Sequence, residues 1–110
     1  MRRIDTLLSH VWMVRAFLKH SDEAIEDEEL QEIHRALYDY HLAVGAVWRE
    51  QDAAAYLKLA HKKFAKLRAA SDKFAEIQPE VSTHTNFQMA AQSLTAAVRE
   101  IGEVLERVAS

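Results

Sequence analysis

The chain has 110 residues with two glycines, one proline and no cysteine. That length fits one domain with a single hydrophobic core, and the composition excludes a disordered or collagen-like chain, disulfides and cysteine-zinc sites. The formal net charge of -3 gives no overall attraction to nucleic acid or to an anionic membrane. Abundant Ala, Leu, Glu and Lys without β-branched runs predict an all-α domain.

The first predicted helix covers residues 3–20 and is apolar on more than one side. Its core face carries Ile4, Leu7, Leu8, Val11, Val14 and Leu18. Four further apolar side chains in the segment 11–18 do not belong to this set: Trp12, Met13, Ala16 and Phe17. We expect them to form a partner surface, most simply for a second copy of the chain. The alternatives are that this helix is central or that Trp12 folds its ring over a neighbouring helix.

A turn near residues 21–25, with Ser21 and Asp22 as capping side chains, precedes a second predicted helix over residues 26–49. Two heptad columns form the packing seam of this helix: Leu30, Leu37 and Val44, and Ile33, Tyr40 and Val47. A third column beside the seam contains His34, His41 and Trp48. Its imidazoles could be ligands, phospho-acceptors or polar groups with partners nearby.

The third predicted helix covers residues 53–77, with Asp52 as its amino-terminal cap after a tight turn at residues 49–52. Its seam consists of Ala53, Leu57, Ala60, Phe64, Leu67 and Phe74. The heptad phase is displaced by one residue, about 100° of rotation, from that of the second helix. One continuous helix would therefore spread its core over two faces, so we predict a break.

Pro79 is expected to end or follow the third helix, and Ser82 or Thr83 to cap a fourth over residues 83–108. The seam of the fourth helix is Phe87, Ala91, Leu94, Val98, Ile101, Leu105 and Val108. Four amphipathic helices joined by short turns predict a single domain over residues 1–110, built as an antiparallel up-down-up-down four-helix bundle. Seven acidic residues lie within residues 22–32 and six basic residues within residues 58–73. The two segments either attract each other as neighbouring helices or subunits, or form two faces in contact with solvent.

Six histidines raise the possibility of a metal or cofactor site. In the predicted bundle His10 and His34 share one depth, whereas Asp5, His41 and His61 share a lower one. No carboxylate lies three residues before these histidines, and His34 and His41 are seven residues, about 10 Å, apart, too far to bind one ion together. We therefore predict no cofactor and leave a metal open, through histidines on facing helices.

The predicted architecture resembles that of histidine phosphotransfer domains, which carry an exposed histidine on a four-helix bundle. His61, followed by Lys62 and Lys63, is the candidate, because neighbouring bases would stabilise an added phosphoryl charge. Phe64 departs from the small residue that such domains usually carry close to the histidine. Arg35 and His41 repeat a spacing found in helical ribonucleases, but Ala36 stands in place of the accompanying polar residue.

The segment 82–92 is dense in hydrogen-bonding side chains, and His84, Gln88 and Gln92 fall on one ridge. It is either a polar pocket, with His20 as a possible neighbour, or a capped helix start facing solvent. No signal-peptide pattern and no apolar run of membrane-spanning length occurs, so we expect a cytoplasmic protein without nucleic-acid or membrane partners. The functional hypothesis is a non-catalytic structural or regulatory interaction module, homo-oligomeric through helix 1 and open to another protein partner. The alternative is a small metal or cofactor binder, or a phosphotransfer-like protein.

Overall fold

The computed structural model of the protein describes residues 2–23, 27–82 and 84–109, except the side chains of residues 108 and 109. Within these ranges the chain forms four long helices and no strand: α1 (Arg2–Lys19), α2 (Glu28–Arg49), α3 (Ala53–Val81) and α4 (Thr85–Ala109). This confirms the predicted all-α architecture. None of the described helices is long and apolar enough to cross a membrane.

The helices pack in a closed ring in which α1 contacts α2 and α4, and α3 contacts the same two helices from the other side. Residues near the start of one helix meet residues in the second half of a neighbouring helix, as an antiparallel arrangement requires. Glu29 of α2 is paired with Lys73 of α3 at 2.9 Å, and Arg3 of α1 is paired with Glu100 of α4. The resulting bundle measures 40 × 23 × 19 Å.

Three of the four predicted seams form the core. All six residues predicted for α1 are buried, as are the predicted residues of α2 except the half-buried Val47. The α4 seam is buried from Phe87 to Leu105, while the side chain of its last member, Val108, lies outside the described residues. Heptad spacing alone was therefore enough to identify the inward faces of these helices.

The inward face of α3 is rotated from the prediction. Ala53 is exposed and Leu57 and Phe64 are half-buried, whereas Tyr56 and Ile77 are buried in their place. Tyr56 and Ile77 lie on the flank of α3 that the predicted seam omitted. On this side α3 faces α2, and the Tyr40 hydroxyl of α2 donates to the Ala60 carbonyl of α3 at 2.9 Å.

The turn between α2 and α3 confirms the predicted break. Asp52 caps α3, its Oδ1 accepting a hydrogen bond from the Ala55 N–H at 3.0 Å. Gln51 adopts a left-handed conformation with φ of 56°, and its Nε2 donates to the Trp48 carbonyl, one of the carbonyls that the end of α2 leaves free. Chain reversal within four polar residues is therefore possible without glycine or proline.

The cap of α2 differs from the prediction. Asp27, not Ser21 or Asp22, caps the helix, and its Oδ1 accepts from the N–H groups of Glu29 and Leu30 at 2.9 and 3.2 Å. Ser21 instead closes the end of α1 by donating its hydroxyl to the Leu18 carbonyl at 2.8 Å. The predicted turn over residues 21–25 and helix start at residue 26 fall partly on residues 24–26, which lie outside the described part of the chain.

Pro79 neither ends nor follows α3, contrary to the prediction. The helix continues to Val81 with the proline inside its last turn. Proline removes only one backbone donor, and the two residues just before it, Ile77 and Gln78, are buried and anchor the turn. Gln78 accepts from the Ser82 N–H at 3.0 Å and donates its Nε2 to the Ser82 carbonyl at 2.8 Å. Ser82 Oγ then accepts from the His84 N–H at 3.2 Å, whereas Thr83, the other predicted cap, lies outside the described residues.

Candidate functional site

The polar side chains with the most unusual surroundings lie where α1 packs on α2. Arg15 is the only arginine or lysine among the buried residues of the described chain, with 7% of its surface exposed. It stands one heptad after Leu8, so the helical geometry of α1 carries it into the core flank. Trp12, His34, Tyr38 and His41 surround it, and we refer to these five residues as the Arg15 cluster.

Arg15 and His34 share a hydrogen bond across the two helices. The distance between Arg15 Nη1 and His34 Nε2 is 3.1 Å. A guanidinium can only donate, so Nε2 of His34 must accept and the imidazole must be neutral, with its proton on Nδ1. This contact couples the protonation state of His34 to the position of Arg15.

Two aromatic rings enclose the guanidinium. The Arg15 Cζ atom lies 3.9 Å from the ring centre of Trp12 and 5.4 Å from that of Tyr38, both within the range of cation–π attraction. Trp12 also contacts His41, with ring centres 4.9 Å apart, and Tyr38 stacks on His34 at 6.4 Å. Trp12 thus folds over the neighbouring helix, as one of the alternatives for this residue anticipated, while remaining partly exposed.

The electrostatic environment of the cluster is positive around His34. Burial lowers the pKa of His34, and the charges of Arg15, Lys19 and Arg35 lower it further. Burial also lowers the pKa of His41; there the charge of Asp5 acts in the opposite direction and that of Arg15 in the same direction. Both imidazoles are therefore held in their neutral form by their surroundings.

Several buried polar atoms near this region have no hydrogen-bond partner among the described residues: Arg15 Nε, His41 Nδ1 and the Tyr56 hydroxyl. Buried polar groups without partners are uncommon in folded proteins and frequently mark functional positions. Burial, followed by the charge of Asp5, raises the pKa of Tyr56, which keeps its hydroxyl protonated. Two of the three atoms belong to the Arg15 cluster, which makes it the leading candidate site.

The histidines that the sequence analysis singled out have different surroundings. His34 bonds to Arg15, while His10 is exposed on α1. His41 and Asp5 do interact electrostatically, but His61 is exposed and lines a groove between α3 and α4. Within the described residues no three His, Asp or Glu side chains are grouped so that they could hold a metal ion.

The remaining candidates lie at the surface. His61, Lys62 and Lys63 are exposed on α3, with Phe64 half-buried beside them. The ring tip of Phe64 lies so close to Gly102 that a β-carbon there would be 2.9 Å from it. His84 and Gln88 are exposed at the start of α4, joined through the backbone by the Gln88 N–H donating to the His84 carbonyl at 3.1 Å.

Two open grooves flank α3, neither of them part of the Arg15 cluster. The groove between α2 and α3 has a volume of about 560 Å³ and includes Glu32, Asp39 and Lys66. The groove between α3 and α4, which includes His61, has a volume of about 780 Å³ and includes Arg68, Arg99 and Glu103. Both mix acidic and basic side chains at their rims, which favours no one class of charged ligand.

The side chains proposed as a partner surface occupy three directions around α1. Met13 points outward and is the most exposed of them, and Ala16 is half-buried. Trp12 turns toward α2, while Phe17 turns toward α4 and packs edge to face on Phe87, with ring centres 4.9 Å apart. The ring of Phe17 is thus engaged within the chain.

Sequence analysis missed Arg15, Tyr38 and Leu42. A signal for Arg15 was present, because the heptad step from Leu8 places it at the edge of the core face of α1. Tyr38 and Leu42 lie one turn apart on the exposed side of α2. The heptad pattern identifies only the buried side of this helix and therefore gave no reason to select them. Only the packing of α1 on α2 shows that they border the same surface as Trp12.

Comparisons with models of known protein families, with curated proteins and with solved structures found no match. A function for the chain therefore has to be argued from the geometry of its own residues. The Arg15 cluster and the exposed apolar side chains around it provide that geometry.

Proposed function

We propose that the protein is a non-catalytic interaction module that self-associates through the outer surface of α1 and α2. The proposed interface consists of Trp12, Met13, Tyr38 and Leu42, which we call the α1/α2 face. It keeps Trp12 and Met13 from the sequence-based hypothesis, adds two residues of α2, and leaves Phe17 to its contact with α4. In this proposal the protein has a structural or regulatory role, which it exerts by assembling. We also propose a cytoplasmic location, which cell fractionation tests.

The observation that carries the proposal is the concentration of exposed apolar side chains on this face. Met13 is 67% exposed, Leu42 53%, Trp12 39% and Tyr38 38%. Apart from Met89 on α4, these are the large apolar side chains that the described chain exposes. Contiguous apolar surface on a small domain commonly marks a protein interface.

The chemistry of the face supports the same proposal. Trp, Tyr and Arg are the residues most enriched among those that dominate binding energy at interfaces. Here Arg15 packs beneath Trp12 and beside Tyr38, so both rings are already held in place. A partner would lose little conformational entropy on ordering them, which favours binding.

A second copy of the chain is the partner that fits best. Two copies of the chain can pack the same pair of helices, α1 and α2, against each other around a two-fold axis. Two-fold dimers are the commonest soluble oligomers. Met13 and Leu42 lie on the outward sides of α1 and α2, where a dimer would cover them without disturbing the bundle core. Dimerisation would remove from water the most exposed apolar side chains of the described chain.

Size-exclusion chromatography with light scattering tests this proposal on the wild type and on Met13→Glu and Leu42→Glu. We expect a wild-type dimer, and we expect each glutamate to weaken it by about 30-fold or more, because two charges enter an apolar contact at symmetric positions. Met89→Glu is the matched control, since Met89 is 50% exposed, close to the 53% of Leu42, but lies on α4.

A wild type that stays monomeric at high protein concentration would contradict the proposal, as would a dimer equally sensitive to Met89→Glu. Both glutamate substitutions are at exposed positions, so the bundle should remain folded, which circular dichroism verifies. Trp12→Ala is a poorer probe because it also removes the contacts of Trp12 with Arg15 and His41.

A further inference from the structure

The guanidinium of Arg15 has a second pair of hydrogen-bond donors, on the edge formed by Nε and Nη2, to which no function has been given above. Nη1 is bonded to His34, whereas Nε is buried without a partner. We propose that this edge of Arg15, lying beneath the ring of Trp12, binds a carboxylate group. The site lies within the α1/α2 face but does not require a second copy of the chain, so it extends beyond the proposed self-association.

The first argument is that Arg15 lacks a counter-charge. None of the ion pairs in the described part of the chain includes Arg15, although it is 93% shielded from solvent. The charges that act on its partner His34 are all positive: Arg15 itself, Lys19 and Arg35. A buried guanidinium without an anion is unfavourable, and the cation–π contacts offset only part of that cost. An incoming anion would be attracted strongly.

The second argument concerns the shape of the free edge. The Nε–H and one Nη2–H of a guanidinium are parallel donors whose spacing matches the two oxygens of a carboxylate. The hydrogen bond from Nη1 to His34 orients the guanidinium in advance. A planar carboxylate can place both of its oxygens in the plane of these two donors.

The third argument concerns access. Trp12 lies 3.9 Å above the guanidinium, yet its side chain is 39% exposed, and its indole N–H makes no hydrogen bond within the described residues. A change of rotamer would uncover Arg15, and the ion pair with the anion would replace the ring contacts of Trp12 with Arg15 and His41. The same movement would uncover His41, whose buried Nδ1 also lacks a partner. Trp12 is therefore positioned as a cover over two unsatisfied polar atoms.

Proton–nitrogen NMR on the Arg15 Nε–H and the Trp12 indole N–H tests the site directly, with acetate as the probe. Spectra are recorded at constant ionic strength while acetate replaces chloride. Binding predicts a saturable shift of both signals with one common dissociation constant. The titration uses a Met13→Gln, Leu42→Gln double variant, which replaces the exposed apolar side chains without adding a carboxylate near Arg15. A failure of self-association and a failure of the anion site then give different results.

Arg15→Lys keeps the positive charge but removes the paired donors, and we expect it to weaken acetate binding by about tenfold or more. Arg35→Lys is the matched control, because Arg35 is an exposed arginine near the same histidine, and it should leave the affinity unchanged. Tyr38→Leu provides a second variant at a surface position. It should weaken binding several-fold by removing one aromatic wall while preserving the fold.

The proposal is overturned if acetate shifts these signals linearly without saturation, or if chloride alone produces the same shifts. It is equally overturned if phosphate saturates the site and acetate does not, because the ligand would then be a tetrahedral anion. Retained binding in a folded Arg15→Lys variant would show that the paired donors of Arg15 are not the site.

Discussion

At the scale of single residues, the same side-chain type takes different roles according to its neighbours. Tyr40 and Tyr56 are both buried and lie close enough for Tyr56 to affect the pKa of Tyr40. The Tyr40 hydroxyl donates to the Ala60 carbonyl at 2.9 Å, whereas the Tyr56 hydroxyl has no partner among the described residues. Sequence alone gives no basis for separating them, because a hydrogen bond between helices depends on distances of tenths of an ångström.

Replacing each of these tyrosines by phenylalanine should therefore have different effects on stability. Tyr40→Phe removes a hydrogen bond between α2 and α3 and should lower the free energy of unfolding by about 1 kcal/mol. Tyr56→Phe removes an unsatisfied buried hydroxyl and should leave that free energy unchanged or raise it by up to about 1 kcal/mol. Urea unfolding at one protein concentration measures both. Equal losses in the two variants would show that the Tyr56 hydroxyl has a partner, such as a buried water.

At the scale of elements, the break at Asp52 was predicted correctly, whereas the cap of α2 and the helix end at Pro79 were not. Asp52 caps α3 as expected, because the phase displacement between α2 and α3 required a break and Asp52 was the capping residue available. Pro79 was wrongly assigned to the end of α3. A proline inside a helix removes one hydrogen bond and crowds the carbonyl four residues before it, yet the buried Ile77 and Gln78 keep this last turn packed on the bundle.

The two glycines, both inside helices, offer a matched pair of substitutions. A β-carbon at Gly45 would meet no atom within 4 Å, so Gly45→Ala should raise the free energy of unfolding by about 0.5–1 kcal/mol through helix propensity. A β-carbon at Gly102 would lie 2.9 Å from Phe64, so Gly102→Ala should gain less or lose stability because the ring must move.

Thermal unfolding of the wild type and both alanine variants tests this expectation. The informative quantity is the difference between the two variants, because the gain in helix propensity is common to both. Gly102→Ala being as stabilising as Gly45→Ala would mean that Phe64 can leave Gly102 at no cost.

At the scale of the whole molecule, the packing of α1 on α2 makes stability depend on two neutral histidines. The pKa values of His34 and His41 are lowered below the ordinary imidazole value of 6.5, in both cases mainly by burial. The unfolded chain therefore binds protons more readily than the folded chain as the pH falls below that value. Stability linked to these residues is fully present above pH 6.5 and is lost as the pH decreases toward the lowered pKa values.

We expect the free energy of unfolding to fall as the pH is lowered from about 7.5 to 5.5, before most carboxylates titrate. His34→Gln should flatten this dependence, because a glutamine oxygen can accept from Arg15 at any pH in the range. His41→Gln should flatten it further. His10→Gln is the control, since His10 is exposed on α1 and should leave the slope as in the wild type. A slope unaffected by either of the first two substitutions would contradict the assignment.

The sequence by itself determined the fold class, the number of long helices and the inward faces of α1, α2 and α4. Apolar residues at heptad spacing lie on the same side of the chain when the segment is an α-helix, and that side can then be buried as a unit. It also identified Trp12 and Met13 as apolar side chains outside the core face of α1. These properties are local, since each depends on residues a few positions apart in the chain.

Only the tertiary structure decided which residues meet across helices. It placed Arg15 against His34, beneath Trp12 and beside Tyr38. The physical reason is that helix rotation and register are set by the packing of all four helices together. Hydrogen bonds and cation–π contacts depend on these two parameters to within about 1 Å, which a periodic sequence pattern does not specify.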